Sequence, residues 1–437
     1  MIKKILSKVF RRQTSDFLLN AQQYNINKKM LHWTALKTVK QLKEAGYEAY
    51  IVGGAVRDLI LGKNPKDFDV ATNATPDKVR KIFRRSRIVG RRFPIVHVLF
   101  GAETVEVTTF RGGKTVSQNA EGRIMRDTVY GTKEEDAKRR DFTCNALYYD
   151  PIDEKIFTIG TGMQDIQAKR LVMIGEPNER FREDPVRMLR AARISAKLEF
   201  SVEQNILTAI HNNSDLLKNE PPARLFDEIT KELLCGHSSE CLETLKQMGI
   251  SPNIHPIYKA MLPERPNTLF FRTVLAKTDE RVKNNQPVSI AFILAAMLWN
   301  EVKETSEHNI KQGASLSKAM QDAVHETFRR HESDWGMPHR HASGMRQIWL
   351  LQPAFENTKG KRPFRLLAQP NFRAAFDFFA LRAKCNEASL ETLAWWEKFQ
   401  VASNIERNEM VSTKNNTTQK NKRRKRTVKK NNKETSE

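Results

Sequence analysis

Two aspartates carry the first chemical signal in this chain: Lys66-Asp67-Phe68-Asp69-Val70 sets two carboxylates two residues apart in an apolar context. Alternate residues of a strand share a face, so a strand over Phe68 to Ala71 would point both side chains one way. Two anions held together repel, and the pair is costly unless a cation sits between them. Mg²⁺, with its preference for oxygen, is the natural ion, and two such ions can activate a hydroxyl and stabilise a departing phosphate group. The plainer alternative is a solvated turn after Pro65, because Asp-x-Asp arises often by chance.

The segment Gly53-Gly54-Ala55-Val56-Arg57-Asp58 precedes this pair and follows the apolar run Ala49-Tyr50-Ile51-Val52. Strand, turn and helix is the predicted order, with the helix running to Gly62. Backbone N–H groups at a glycine-opened helix start attract phosphate, and Arg57 one turn later adds charge. A tight turn requiring positive φ would also explain two adjacent glycines.

Two further acids compete for a third place in such a site. Glu106 alternates with Val105 and Val107, as an acid on the working face of a strand would, or as any solvent-facing strand residue would. Asp141 stands in Arg139-Arg140-Asp141-Phe142-Thr143-Cys144-Asn145. Spacing alone leaves the choice open. In Glu183-Asp184-Pro185-Val186-Arg187-Met188-Leu189-Arg190-Ala191-Ala192-Arg193, Asp184 reads as an N-cap and Pro185 as the first helical residue. That pattern leaves Arg187, Arg190 and Arg193 to be explained; they recur three apart along one side of the helix, as a solvated stripe or as a binding one.

Together these motifs resemble the active-site signature of the polymerase β-type nucleotidyltransferases, in the class II family shared by bacterial poly(A) polymerases and tRNA CCA-adding enzymes. The similarity spans roughly Ala49 to Leu198 in four ordered motifs. It implies that Asp67 and Asp69 hold the metals, that Gly53, Gly54 and Arg57 meet a triphosphate, and that Asp141 and Asn145 meet sugar hydroxyls beside Arg140. Of the two remaining acids it favours Asp141 as the third catalytic residue, with Glu106 a further metal-ligand candidate. It further implies that Glu183, Asp184, Arg187, Arg190 and Arg193 belong to the nucleotide site, Asp184 and Arg187 reading the base. Ile88 to Val98, with Gly90-Arg91-Arg92-Phe93 and His97, is similar to a block of the poly(A) polymerase I branch. The segments Ile348 to Gln352, Gly360-Lys361-Arg362, Phe372 to Asp377 and Trp395-Trp396 extend the likeness to about Gln400. The implied activity is template-independent transfer of AMP from ATP to RNA 3′ ends in bacterial mRNA processing, with CCA addition as the alternative. Two Mg²⁺ ions, ATP, RNA and helper proteins of RNA decay are the implied cofactors and partners, and the cytoplasm the implied location.

The rest of the chain supports a nucleic-acid partner. There are 74 Lys+Arg against 51 Asp+Glu, a net charge of +23 over 437 residues. Such excess calls for a polyanion without saying which. No apolar run approaches the roughly 20 residues of a spanning helix. Cys144, Cys235, Cys241 and Cys385 have no zinc-finger spacing and read as reduced thiols. The expected class is α+β: a mixed-sheet head followed by an all-helical neck and body. The expected parts are 1–45, a basic extension and helix; 46–170, the head; 171–235, the neck; 236–405, the body; and 406–437, a disordered basic tail. Met1 to Arg12 reads as a short basic helix, a transit peptide being the alternative. Lys361, Arg362, Arg365 and Arg373 read as solvated charges or an RNA-facing patch, and Trp395-Trp396 as core.

Overall fold

β-branched and aromatic residues concentrate in short runs through the first part of the chain, and the runs become strands. The computed structural model describes residues 17–90, 94–112, 117–118, 124–126, 130–262, 269–331 and 335–412. Eight strands form one sheet: β1 (Phe17–Asn20), β2 (Ala49–Val52), β3 (Asp69–Thr72), β4 (Ser86–Val89), β5 (Ile95–Phe100), β6 (Glu103–Thr109), β7 (Leu147–Asp150) and β8 (Lys155–Thr158). Their spatial order is β1-β8-β7-β2-β3-β6-β5-β4. All neighbours are antiparallel except β3 and β6, which run parallel.

Register explains which face is core. Ile51 pairs with Val70, Val70 with Val107, and Val107 with Val96, and all four are at most 1% exposed. Helices α1 (Trp33–Glu44) and α3 (Pro76–Ile82) pack on the strands through Ala35, Val39, Leu42 and Val79. The other face carries Val52, Asp69 and Ala71; Val52 and Ala71 are covered by Phe110, Ala137 and Tyr148.

Two local expectations shift. The strand begins at Asp69, one residue later than the apolar pattern suggests, so Asp67 lies in the preceding loop and shares no strand face with Asp69. Strand β1 joins the head sheet through β8, although the residues before 46 show no strand signal beyond Phe17-Leu18-Leu19.

The chain divides into two compact units, Met1–Glu220 with Thr244–Ser251, and Pro221–Glu243 with Pro252–Glu437. Among the described residues the second unit is helical. Its last helices bury Phe355, Phe372, Phe376, Phe379, Trp396 and Phe399 together, and Trp396 Nε1 donates to the Phe355 carbonyl at 2.8 Å. Trp396 is core, as its pattern predicts, while Trp395 packs partly buried against the cluster. Lys361, Arg362, Arg365 and Arg373 are exposed.

The expected disorder from 406 is corrected up to 412. Residues 404–412 are helical, and Val411 and Met410 pack on the aromatic cluster. The signal is present in the sequence: Ser403 and Glu406 form a reciprocal capping pair, Ser403 N–H donating to Glu406 at 2.7 Å and Glu406 N–H to Ser403 at 3.4 Å. The tail beyond 412, the segment Met1 to Arg12 and Arg91-Arg92-Phe93 lie outside the described residues. No described helix is long and apolar enough to cross a membrane. None of the four cysteines is in a disulfide.

Candidate active site

The turn after β2 is built by Gly53, whose φ of 69° is a left-handed conformation that L side chains rarely adopt. A Cβ there would lie 3.1 Å from Arg140 Nη1, so the glycine also admits that guanidinium. Helix α2 (Gly54–Ile60) starts at this turn and buries Ala55, Val56 and Leu59, which fixes Arg57 toward the interior at 6% exposure.

Arg57 begins a continuous hydrogen-bonded chain. Its Nε and Nη2 donate to Asp58 Oδ1 at 2.9 and 2.6 Å, and its Nη1 donates to Asn145 Oδ1 at 2.5 Å. Asn145 Nδ2 donates to Asp141 Oδ1 at 3.1 Å, which also accepts from the Phe142 N–H at 2.8 Å. Arg190 closes the chain with two bonds to Asp141 Oδ2, at 2.8 and 2.5 Å. Burial would raise the Asp141 carboxyl, but Arg190, Asn145 and the Phe142 N–H overcome it and hold the group far below the usual carboxylate range.

Arg140 is braced separately. It follows α4 (Lys133–Arg139), donates from Nε to Tyr148 Oη at 2.8 Å, and lies 4.8 Å from that ring centre. Asp136 accepts from Arg140 Nη2 at 3.3 Å and from the Tyr148 hydroxyl at 2.5 Å. The guanidinium therefore has little freedom.

Asp69 has the opposite environment. The walls around it remove water, and Glu106 and Asp67 add negative charge, while Arg140 offsets only part, so its carboxyl is pushed up to about 6. Its side chain still meets solvent. Glu106 pairs in register with His97, whose Nε2 lies 3.5 Å from Glu106 Oε1.

These groups surround a cleft of about 500 Å³ lined by Gly53, Gly54, Arg57, Asp69, Arg140, Asp141, Asn145, Asp184, Arg187, Arg190, Arg193, Ile194, Lys197 and Leu198. Eleven of these fourteen are residues the sequence motifs single out. Six cations face three carboxylates there, an excess suited to a triphosphate. Lys197, Ile194 and Leu198 complete the wall; Lys197 follows Arg193, and Ile194 and Leu198 follow Arg190, at helical spacing, a signal open to reading from the sequence.

Three expected site residues lie outside this lining. Asp67 and Glu106 flank Asp69 electrostatically. Glu183 instead accepts from Arg180 at 2.5 Å and from Arg187 Nη1 at 3.1 Å, so it neutralises arginines in place of touching the cleft. The N-cap assignment of Asp184 is also corrected. It caps the C-terminus of α6 (Pro177–Glu183), the helix after α5 (Gly162–Gln167), and α7 begins at Arg187 and runs to Leu198, because Pro185 and Val186 form a turn between the helices. The Asp184 carbonyl still accepts from the Arg187 N–H at 3.1 Å.

The motifs match families of known proteins. The Poly A polymerase head domain family matches residues 49–172, the probable RNA and SrmB-binding site of polymerase A matches 199–262, and the polymerase A arginine-rich C-terminus matches 312–430. Poly(A) polymerase I of Salmonella typhi is 41% identical over 413 residues, covering 90% of this chain and 88% of its own length. The Haemophilus influenzae poly(A) polymerase I is 39% identical, covering 92% and 91%. The CCA-adding enzyme of Lactobacillus helveticus is 36% identical over 220 residues, 50% of this chain and 54% of its own. Among solved structures, the Bacillus stearothermophilus CCA-adding enzyme in complex with CTP has a TM-score of 0.55 at 25% identity, covering 87% of this chain and 82% of its own. With relatives of such identity spanning nine-tenths of its length, the chain belongs to the bacterial poly(A) polymerase family.

Proposed function

We propose that this protein adds AMP from ATP to RNA 3′ ends without a template, releasing pyrophosphate. The reading is carried by one contrast: poly(A) polymerases match about nine-tenths of the chain, through the helical body, whereas the CCA-adding enzyme of Lactobacillus helveticus matches half of it. The cleft supports the chemistry. Arg140, Arg190, Arg193 and Lys197 supply charge for the triphosphate, and Asp184 and Arg187 at the start of α7 offer paired acceptor and donor groups to a base edge.

The residues around Asp69 fit Mg²⁺. The donors Asp69, Asp67 and Glu106 are all carboxylates, and the raised Asp69 carboxyl reports surplus negative charge that a cation would relieve. An Mg²⁺ ion held here would take its remaining ligands from substrate phosphates and water. When bound, Mg²⁺ would favour the alkoxide form of the RNA 3′ hydroxyl and offset charge on the leaving pyrophosphate. Asp141, its oxygens taken up by Arg190, Asn145 and Phe142, serves in this reading to hold Arg190 and Asn145, and Glu106 replaces it as the third acid beside the metals. A bacterial cytoplasmic setting, helper proteins and the finer division into head, neck and body are part of the same proposal.

The test uses labelled RNA unrelated to tRNA, with ATP alone or CTP alone and Mg²⁺. Many residues should be added from ATP and few from CTP. Two residues added from CTP to a tRNA lacking its end, with no tailing of the unrelated RNA, would overturn the proposal in favour of CCA addition.

A further inference from the structure

The sheet carries a row of side chains leading away from Asp69. Val70 pairs with Val107, so Asp69 on β3 stands beside Glu106 on β6. Glu106 pairs with His97 on β5, and His97 pairs with Arg87 on β4, the last strand of the sheet. Opposed residues on neighbouring strands share a face, so all four side chains belong to the face of Asp69. The 3.5 Å separation of His97 Nε2 and Glu106 Oε1 agrees with that register. Arg85 continues the ladder through its carbonyl, which accepts from the Leu99 N–H at 2.9 Å, and period-two alternation puts it on the same face as Arg87.

Arg85 and Arg87 are exposed, and neither side chain has an ion pair or hydrogen bond with a described residue. Three strand spacings of about 4.8 Å put Arg87 roughly 14 Å from Asp69. Two of the cleft's cations lie on the other side: Arg57 follows β2 and Arg140 precedes β7, both strands lying beyond β3 from β6. In-line displacement brings the attacking hydroxyl in opposite the leaving pyrophosphate, so the RNA must approach from the β6, β5 and β4 side. The matched RNA-binding segment, 199–262, and the arginine-rich segment, 312–430, do not include this edge.

We propose that Arg85 and Arg87 form a phosphate track for the RNA strand just upstream of its 3′ end, leading it over His97 and Glu106 to Asp69. The inference rests on the adenylyl-transfer reading for the identity of its ligand. Two guanidinium groups with no partner among the described residues, two residues apart on a sheet edge, can take successive phosphates of a single strand, and the contact would be indifferent to sequence. An internal control exists on the same head: Lys78 and Lys81 of α3 are also exposed, but α3 packs against the opposite face.

The experiment measures binding of a fluorescent single-stranded oligoadenylate by polarisation, without ATP, across a series of salt concentrations. Arg85→Ala with Arg87→Ala should weaken binding about tenfold at low salt and flatten the log–log salt slope by about 1.4, two contacts at roughly 0.7 each. ATP binding should not change. Arg85→Lys with Arg87→Lys should restore most of the slope, because the charge returns. Unchanged affinity and slope in the alanine pair would overturn the track, and so would an equal loss from Lys78→Ala with Lys81→Ala, which would mean bulk charge. Loss of binding to vesicles containing phosphatidylglycerol, with RNA binding intact, would also overturn it and assign the edge to lipid. A chain that bound RNA with the expected slope yet failed to extend it would count against adenylyl transfer and leave the track standing.

Discussion

Asp69 and Asp141 line the same cleft and are the same residue type, yet the fold treats them oppositely. Asp141 is 7% exposed and its carboxylate is saturated by Arg190, Asn145 and a backbone N–H. Asp69 meets solvent but faces Glu106 and Asp67, and its carboxyl rises to about 6. The difference separates two tasks. A saturated carboxylate organises neighbouring side chains, and an electrostatically frustrated one is ready for a cation.

The largest expected effect tests the frustrated side. Asp69→Asn should lower nucleotide incorporation by about three orders of magnitude or more, since a metal ligand is lost without a change in packing. The same variant should be slightly more stable than the parent when both are held in chelator. A raised folded-state carboxyl costs stability once ionised, so the cost is absent below about pH 4 and present above about pH 6. At pH 8 the melting temperature should therefore rise by about 1–2 °C, the rise being small because solvent screens the group, and it should vanish in acid. A lower melting temperature at pH 8 would contradict the frustration of Asp69.

Glu106→Gln sharpens the contrast at intermediate size. It should reduce turnover by about a hundredfold with circular dichroism unchanged, and its melting temperature at pH 8 should rise by no more than that of Asp69→Asn, because Glu106 is exposed and acts on Asp69 through charge. Wild-type turnover in this variant would return the third acidic role to Asp141.

Asp141→Asn probes the saturated side, and its effect should appear first in stability. Removing the partner of Arg190 should cost roughly 2 kcal/mol by urea denaturation, less than a fully buried pair because Arg190 is 34% exposed. A depressed folded-state carboxyl stabilises above its unfolded value and loses that contribution as pH falls toward the folded one. The gap between parent and variant should thus hold from pH 8 to about 5 and shrink below about 4. A gap that shrinks with rising pH would contradict the assigned direction.

Much of this molecule was legible from local pattern. The run Ala49 to Val52, the helix Trp33–Glu44, the left-handed Gly53 and the arginine series on α7 all follow from periodicity and backbone sterics, which act over a few residues. The capping pair Ser403 and Glu406 was equally local, and it explains why a new helix starts at 404 where composition alone suggested a tail.

Other features depended on pairings that no local pattern specifies. Glu106 alternates with valines as a surface acid would, and only the parallel register of β3 with β6 brings it beside Asp69. Asp141 has the sequence surroundings of a catalytic acid, and only the return of α7 after some fifty residues supplies the Arg190 that occupies it. Glu183 and Asp184 are neighbours in the chain, but the turn at Pro185 and Val186 sends one to neutralise Arg180 and Arg187 and the other to the cleft. Residue order was enough to set most of the elements, because propensity and periodicity are short-range. The tertiary structure alone decided which carboxylates were satisfied and which were left for a metal, because charge pairing, desolvation and strand register depend on residues that meet only after the chain has folded.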